Sequence, residues 1–157
     1  MASCAILAVD CVEGHGGPKD EAQAAALFDR ACATGNLSAC SGLAALKERG
    51  AGTAKDLAGA AELYRRACEG EPRACFGLGR MYERGEGVGA DVLRAIGLFA
   101  RVCEASIPDG CAELGMLLVE GRGIPKDTAH GEGLLRKGCE GGVKAACDML
   151  AAREAHP

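Results

Sequence analysis

Ten cysteines lie along this chain like marks on a ruler. Cys40, Cys75, Cys111 and Cys147 recur at intervals of 35, 36 and 36 residues, and Cys4 lies 36 before Cys40. Cys32, Cys68, Cys103 and Cys139 recur at 36, 35 and 36. A fixed period of this length marks units that each bury an apolar face on a neighbour. Other positions keep the same register. Leu7, Leu43, Leu78 and Leu114 stand three residues after a marker cysteine, and Gly14, Gly50, Gly85 and Gly121 stand ten after it. Gly16, Gly52, Gly87 and Gly123 follow at twelve, Asp20, Asp56, Asp91 and Asp127 at sixteen, and Leu27, Leu63, Leu98 and Leu134 at twenty-three.

Each unit reads as two helices. The first is predicted over Ala39 to Arg49, Ala74 to Arg84 and Gly110 to Glu120, and ends in a glycine, the residue that takes a left-handed terminus most cheaply. The second starts at the aspartate, whose carboxylate caps free N–H groups, and Asp20 with Gln23 resembles a capping box. Ala24, Leu27, Phe28, Ala31 and Cys32 share one helical face, as do Ala60, Leu63, Tyr64, Ala67 and Cys68. Pro72 and Pro108 are expected in loops between units. Of the 157 residues 48% are apolar but only 3% aromatic, so the core is expected to be built from closely spaced Ala, Leu and Cys. A net charge of −4 argues against a nucleic-acid or polybasic membrane surface. No apolar stretch is long enough for a membrane-spanning helix.

The cysteines flank each unit junction as Cys32 with Cys40, Cys68 with Cys75, Cys103 with Cys111, and Cys139 with Cys147. A disulfide across each short loop would stabilise the array by roughly 2–3 kcal/mol. Free thiols packing as small hydrophobes are the plainer alternative. Zinc is a third, although no Cys-x-x-Cys or neighbouring His accompanies the pairs. Cys4 and Cys11 fall seven residues apart on one helix, about 10 Å, too far to bridge, and are expected as free thiols. Cys4 holds the marker position, so its partner is expected about eight residues upstream. The chain is then expected to be cut from a longer one, with a targeting segment absent from it. Met1-Ala2-Ser3-Cys4 has no basic region of a signal peptide. Cys11 stands where other units have Lys47, Tyr82 and Leu118, and is expected to pack.

These residues resemble the Sel-1-like repeat family, a relative of the tetratricopeptide repeat. The third unit carries its pattern in Ala74, Leu78, Gly79, Tyr82, Gly85, Gly87, Val88, Asp91, Ala95 and Phe99; the fourth in Leu114, Gly115, Gly121, Gly123, Ile124, Pro125, Lys126 and Asp127. Departures are Cys11, Lys47 and Leu118 at the family tyrosine, and His130 and Gly131 at a usual Arg or Lys and Ala. The junction cysteines look like the disulfide-stapled branch of that family, which includes secreted bacterial proteins and a mitochondrial intermembrane-space member. The resemblance implies an all-α, right-handed α-solenoid, one array over residues 1–157. Its repeats are expected at 4–39, 40–74, 75–110 and 111–146, with 147–157 as a partial capping helix.

It also implies a non-catalytic scaffold that binds a protein or peptide on the concave face, where first helices lie. With the third, fourth and seventh positions after the marker facing the core, the open face holds Val9, Val12, Ser41, Ala45, Glu48, Phe76, Arg80, Glu83, Ala112, Met116 and Val119. Phe76 beside Arg80 and Met116 makes a candidate anchor set, unless Phe76 packs on a neighbouring helix. A monomer without cofactor is expected, in the periplasm, outside the cell or in the intermembrane space; a reduced cytosolic protein is the alternative. The enzyme alternative is β-lactam binding or weak hydrolysis, linked to the cysteine-rich branch. Ser3, Ser38, Ser41 and Ser106 all lack the Ser-x-x-Lys of a serine β-lactamase, and His15, His130 and His156 are scattered and expected at the surface. A structural or designed array without ligand is a third reading. Gly85 to Gly89 lacks the strand and Lys-Ser of a phosphate loop. Asn36-Leu37-Ser38 fits a glycosylation sequon in a eukaryotic secretory host.

Overall fold

The computed structural model describes residues 4–14 and 19–156, apart from the side chain of Cys4. The expectations for Ser3, His15, Gly16 and a Cys4 thiol lie outside the described residues. Those residues form α1 (Cys4–Glu13), α2 (Glu21–Ala33), α3 (Leu37–Arg49), α4 (Leu57–Cys68), α5 (Pro72–Arg84), α6 (Val92–Glu104), α7 (Pro108–Glu120), α8 (Thr128–Glu140) and α9 (Lys144–Ala155), with no strand among them. Each helix packs on the ones before and after it, and α3 also meets α5 as α7 meets α9. Odd-numbered helices therefore form one layer and even-numbered helices the other, in a right-handed α-solenoid.

One aspartate per repeat sets the corner. The carboxylates of Asp20, Asp56, Asp91 and Asp127 accept from the backbone N–H of Gln23, Gly59, Arg94 and His130 at 2.9, 2.8, 3.0 and 3.1 Å. Their own N–H groups donate back to the carbonyls of Cys11, Lys47, Tyr82 and Leu118 at 3.0, 3.0, 2.9 and 3.0 Å. The same residue thus caps the second helix and ties it to the first. The turn before it needs glycine for two reasons. Gly87 has φ 71°, and a Cβ there would lie 2.2 Å from the Leu57 carbonyl oxygen at the start of α4.

Three expectations change. Pro72 and Pro108 are the first residues of α5 and α7 rather than loop residues, and first helices begin about two residues earlier than expected. Proline suits the first helical position because its missing N–H has no partner there. The sixth position after the marker cysteine is core (Leu46, Met81 and Leu117), while the seventh (Cys11, Lys47, Tyr82 and Leu118) is half-buried. Each inner first helix is wedged between two second helices, which widens its buried arc toward the sixth position; the seventh lies over the turn. Ala112 and Val119, expected on the open face, are buried. Glycines in α8 draw α7 in: a Cβ on Gly138 would meet Ala112 at 2.8 Å, and one on Gly131 would meet Val119 at 2.7 Å.

The few rings are seated against small residues. Phe28, Tyr64 and Phe99 hold equivalent positions on second helices, and Cβ atoms at Gly42, Gly77 and Gly79 would strike them at 2.8, 2.6 and 2.7 Å. Leu7 is 43% exposed although Leu43, Leu78 and Leu114 are buried, because among the described residues α1 has a second helix on one side only. Four disulfides close the junctions, Cys32–Cys40, Cys68–Cys75, Cys103–Cys111 and Cys139–Cys147, with Cα separations of 4.7, 4.6, 4.6 and 4.7 Å. Each fastens the end of a second helix to the next first helix. Cys11 is free and half-buried, packs on the core, and has its sulfur 3.5 Å from Gln23 Oε1. Among the described residues no helix is long and apolar enough to cross a membrane.

Candidate functional site

The open face of the first helices changes character along the array. On α3 it offers Ser41, Ala45 and Glu48, all half-buried. Glu48 is engaged there, accepting from the Tyr64 hydroxyl at 3.0 Å. Burial raises the Tyr64 phenol above its ordinary value and Glu48 raises it further, so the donor keeps its proton. Val9 on α1 is exposed.

On α5 the face carries Phe76, Arg80 and Glu83. Phe76 is half-buried, its ring tilted 52° against that of Phe99 at a centroid separation of 5.7 Å. The Arg80 guanidinium stands 5.9 Å from the Phe76 centroid, within range of a cation–π attraction. Phe76 also lines a recess of about 170 Å³ with Arg73, Ile107 and Asp109. Glu83 and Met116, from α5 and α7, line a second recess of about 500 Å³ together with Glu113, Arg84 and Arg122. Arg122 donates to Glu83 at 2.6 Å and pairs with Glu120. Glu113 is half-buried, and its carboxyl is held above the ordinary value of 4.5 by that burial first and by Glu83 second, against the pull of Arg80, Arg122 and Arg84.

The structure therefore brings Phe76 together with Arg80, and Glu83 with Met116. It leaves Val9, Ala45 and Glu48 on earlier helices and takes Ala112 and Val119 into the core. Arg73, Ile107, Asp109, Glu113 and Arg122 escaped the sequence reading. Glu113 could have been found by its break with the repeat, since it stands where Gly42 and Gly77 stand.

The remaining motifs resolve structurally. Asn36 caps α3, its side-chain oxygen accepting from Ala39 N–H at 2.9 Å. Ser38 donates to Glu71 at 3.0 Å. His130 is exposed, with Nδ1 3.9 Å from Asp127. Among the described residues no three His, Cys, Asp or Glu side chains are grouped to hold a metal ion.

The chain is similar to several solved structures. A Sel1 repeat protein from Oxalobacter formigenes superposes with a TM-score of 0.87 at 26% identity, covering 94% of this chain and 59% of that one. A protective antigen of uropathogenic Escherichia coli strains, c5321, which displays an SLR fold, gives 0.83 at 26% identity, covering 95% of this chain and 32% of that one. Helicobacter pylori cysteine rich protein B gives 0.63 at 26% identity, covering 84% and 96%. The chain thus spans under two thirds of the first two proteins. A search of curated protein sequences found no match. The family model of the Sel1 repeat matches residues 2–36, 37–71, 72–106 and 108–143. On that match the chain belongs to the Sel1 repeat family, whose members are typically non-catalytic protein-interaction scaffolds.

Proposed function

We propose that this chain is a monomeric, non-catalytic scaffold that binds a protein or peptide along its concave face, at the third and fourth repeats. The observation that carries the reading is the pair of recesses around Phe76 and Met116, framed by Arg73, Glu83 and Glu113, with Arg80 over the Phe76 ring. Aromatic, Met and Arg side chains are enriched at the centres of interfaces, and half-buried anchors beside recesses are already positioned for a partner. The stapled junctions keep that surface rigid, which lowers the ordering cost of binding. Stable disulfides support an extracytoplasmic setting.

The test is an affinity measurement with peptides selected from an unbiased library against the oxidised protein. Phe76→Ala combined with Arg80→Glu is expected to weaken them at least tenfold while leaving the helical content unchanged. Binding indifferent to that double change contradicts the reading.

A further inference from the structure

The four staples are alike in spacing and unlike in surroundings. Cys32 and Cys40 are 3% and 0% exposed, Cys68 and Cys75 4% and 0%. An arginine from the next second helix closes each of these two further. Arg66 donates to the Cys32 carbonyl at 3.2 Å and lies 3.9 Å from its sulfur; Arg101 does the same at Cys68, at 3.1 and 3.6 Å. The guanidinium favours Cys32 or Cys68 as the departing thiolate. That exchange requires attack on Cys40 or Cys75, whose sulfurs are sealed in the core. At the third staple Cys103 is only half-buried, and the arginine position holds Lys137. A single ammonium has no fork to span a carbonyl and a sulfur.

The loop that the third staple closes is also different. Gly35 and Gly142 take the left-handed position at the first and fourth junctions, with φ of 92° and 94°; at the third junction Ser106 takes it, with φ 60°. A residue with a side chain is strained in that conformation. Ile107, the last residue of this loop, and Asp109, in the first turn of α7 just beyond it, form half of the lining of the Phe76 recess. Access, local strain and the candidate site therefore meet at one disulfide.

We propose that Cys103–Cys111 is a redox-sensitive clasp whose opening by a dithiol relaxes residues 104–110 and dismantles the recess beside Phe76. Its consequence for binding rests on the proposed groove; its chemistry does not. A thiolate of the dithiol attacks the Cys103 sulfur and the S–S bond breaks. The electron pair leaves on the Cys111 sulfur, which lies in the first turn of α7, where the helix N-terminus favours a thiolate, and which then takes a proton from water. The second thiol attacks the mixed disulfide and releases Cys103 as a thiol. The dithiol ends as a cyclic disulfide, and two electrons and two protons have passed to the cysteine pair.

The test treats the folded, oxidised protein with dithiothreitol, quenches by alkylation at intervals and maps the modified cysteines by mass. Cys103–Cys111 is expected to open at least tenfold faster than Cys32–Cys40 and Cys68–Cys75. Cys139 and Cys147 are also half-buried, so a variant with both changed to Ser isolates the third staple. In it, amide exchange over 104–110 is expected to rise at least tenfold on opening, with α3 and α4 unchanged. Simultaneous opening of the staples, earlier opening of the first two, or unchanged exchange over 104–110 overturns the clasp. A peptide that binds the oxidised protein through Phe76 is expected to weaken at least tenfold on opening; unchanged binding overturns the coupling. Failure to select any such peptide counts against the groove alone, because reduction order and exchange still decide the clasp.

Discussion

Where α4 meets α5, the Tyr64 ring fits against Gly77 and its hydroxyl is given to Glu48. Where α6 meets α7, Phe99 is fully buried, Phe76 of α5 leans on it from the preceding helix, and Glu113 stands where two earlier units have glycine. The α4–α5 joint is closed: its ring is seated and its polar tip is satisfied within the protein. The α6–α7 joint leaves a half-buried carboxyl and, beside Phe99, a half-buried phenyl ring facing recesses. The two joints share an architecture, so the difference between them belongs to the side chains that broke the repeat. A solenoid needs every unit to stack, but it needs no unit to bind; binding groups belong where the pattern is interrupted.

The sharpest way to break this comparison is to remove Phe99, which serves both the core and the Phe76 pair. Phe99→Ala is expected to cost about 3–5 kcal/mol, read as a lower denaturant midpoint, with loss of any peptide binding. A cost under about 1 kcal/mol would mean the joint is loosely packed.

The turns extend the contrast. Gly87→Ala places a Cβ against backbone at 2.2 Å, whereas Gly123→Ala meets only the Val92 side chain at 3.2 Å. Both suffer left-handed strain of roughly 1–2 kcal/mol, and Gly87→Ala adds an overpacking cost of about 1–3 kcal/mol. Chemical denaturation of the two variants should separate them in that order; equal losses would contradict the close approach of the turn to α4.

Tyr64→Phe tests whether the closed joint depends on its polar tip. Loss of the hydrogen bond to Glu48 is expected to cost about 1 kcal/mol and to leave peptide binding unchanged. The smallest effect is at Glu113. Its folded carboxyl titrates above the ordinary value of 4.5, so the folded state holds the proton more tightly than the unfolded chain. Stability therefore falls as pH rises from about that value through the folded pKa, and the cost persists above it. Glu113→Gln is expected to flatten that slope and to be slightly more stable at neutral pH; an unchanged pH profile contradicts the assignment.

Most of the fold was legible because its determinants repeat. Four aspartate caps, the paired glycines and the cysteine spacing recur in register, and each has a local cause that a sequence displays. The helix starts at Pro72 and Pro108 were missed because proline marks both a loop and a first helical turn. The buried sixth position was missed because a single-helix pattern does not show that two second helices flank each first one. The candidate site was only partly legible. Phe76, Arg80, Glu83 and Met116 share a face by helical spacing, but Ile107 and Asp109 reach the Phe76 recess from the end of a junction loop and the first turn of the next helix. Ala112 and Val119 were lost to the core through glycines on another helix, which no pattern within α7 reveals.

The central claim is that the concave face of the third and fourth repeats is the binding surface. The most direct test is the amide-exchange footprint of library-selected peptides on the oxidised protein. The account predicts protection along α5 and α7, including Ile107 and the first turn of α7 that carries Asp109. Protection confined to the even-numbered helices, or to α1 and α3, would contradict it.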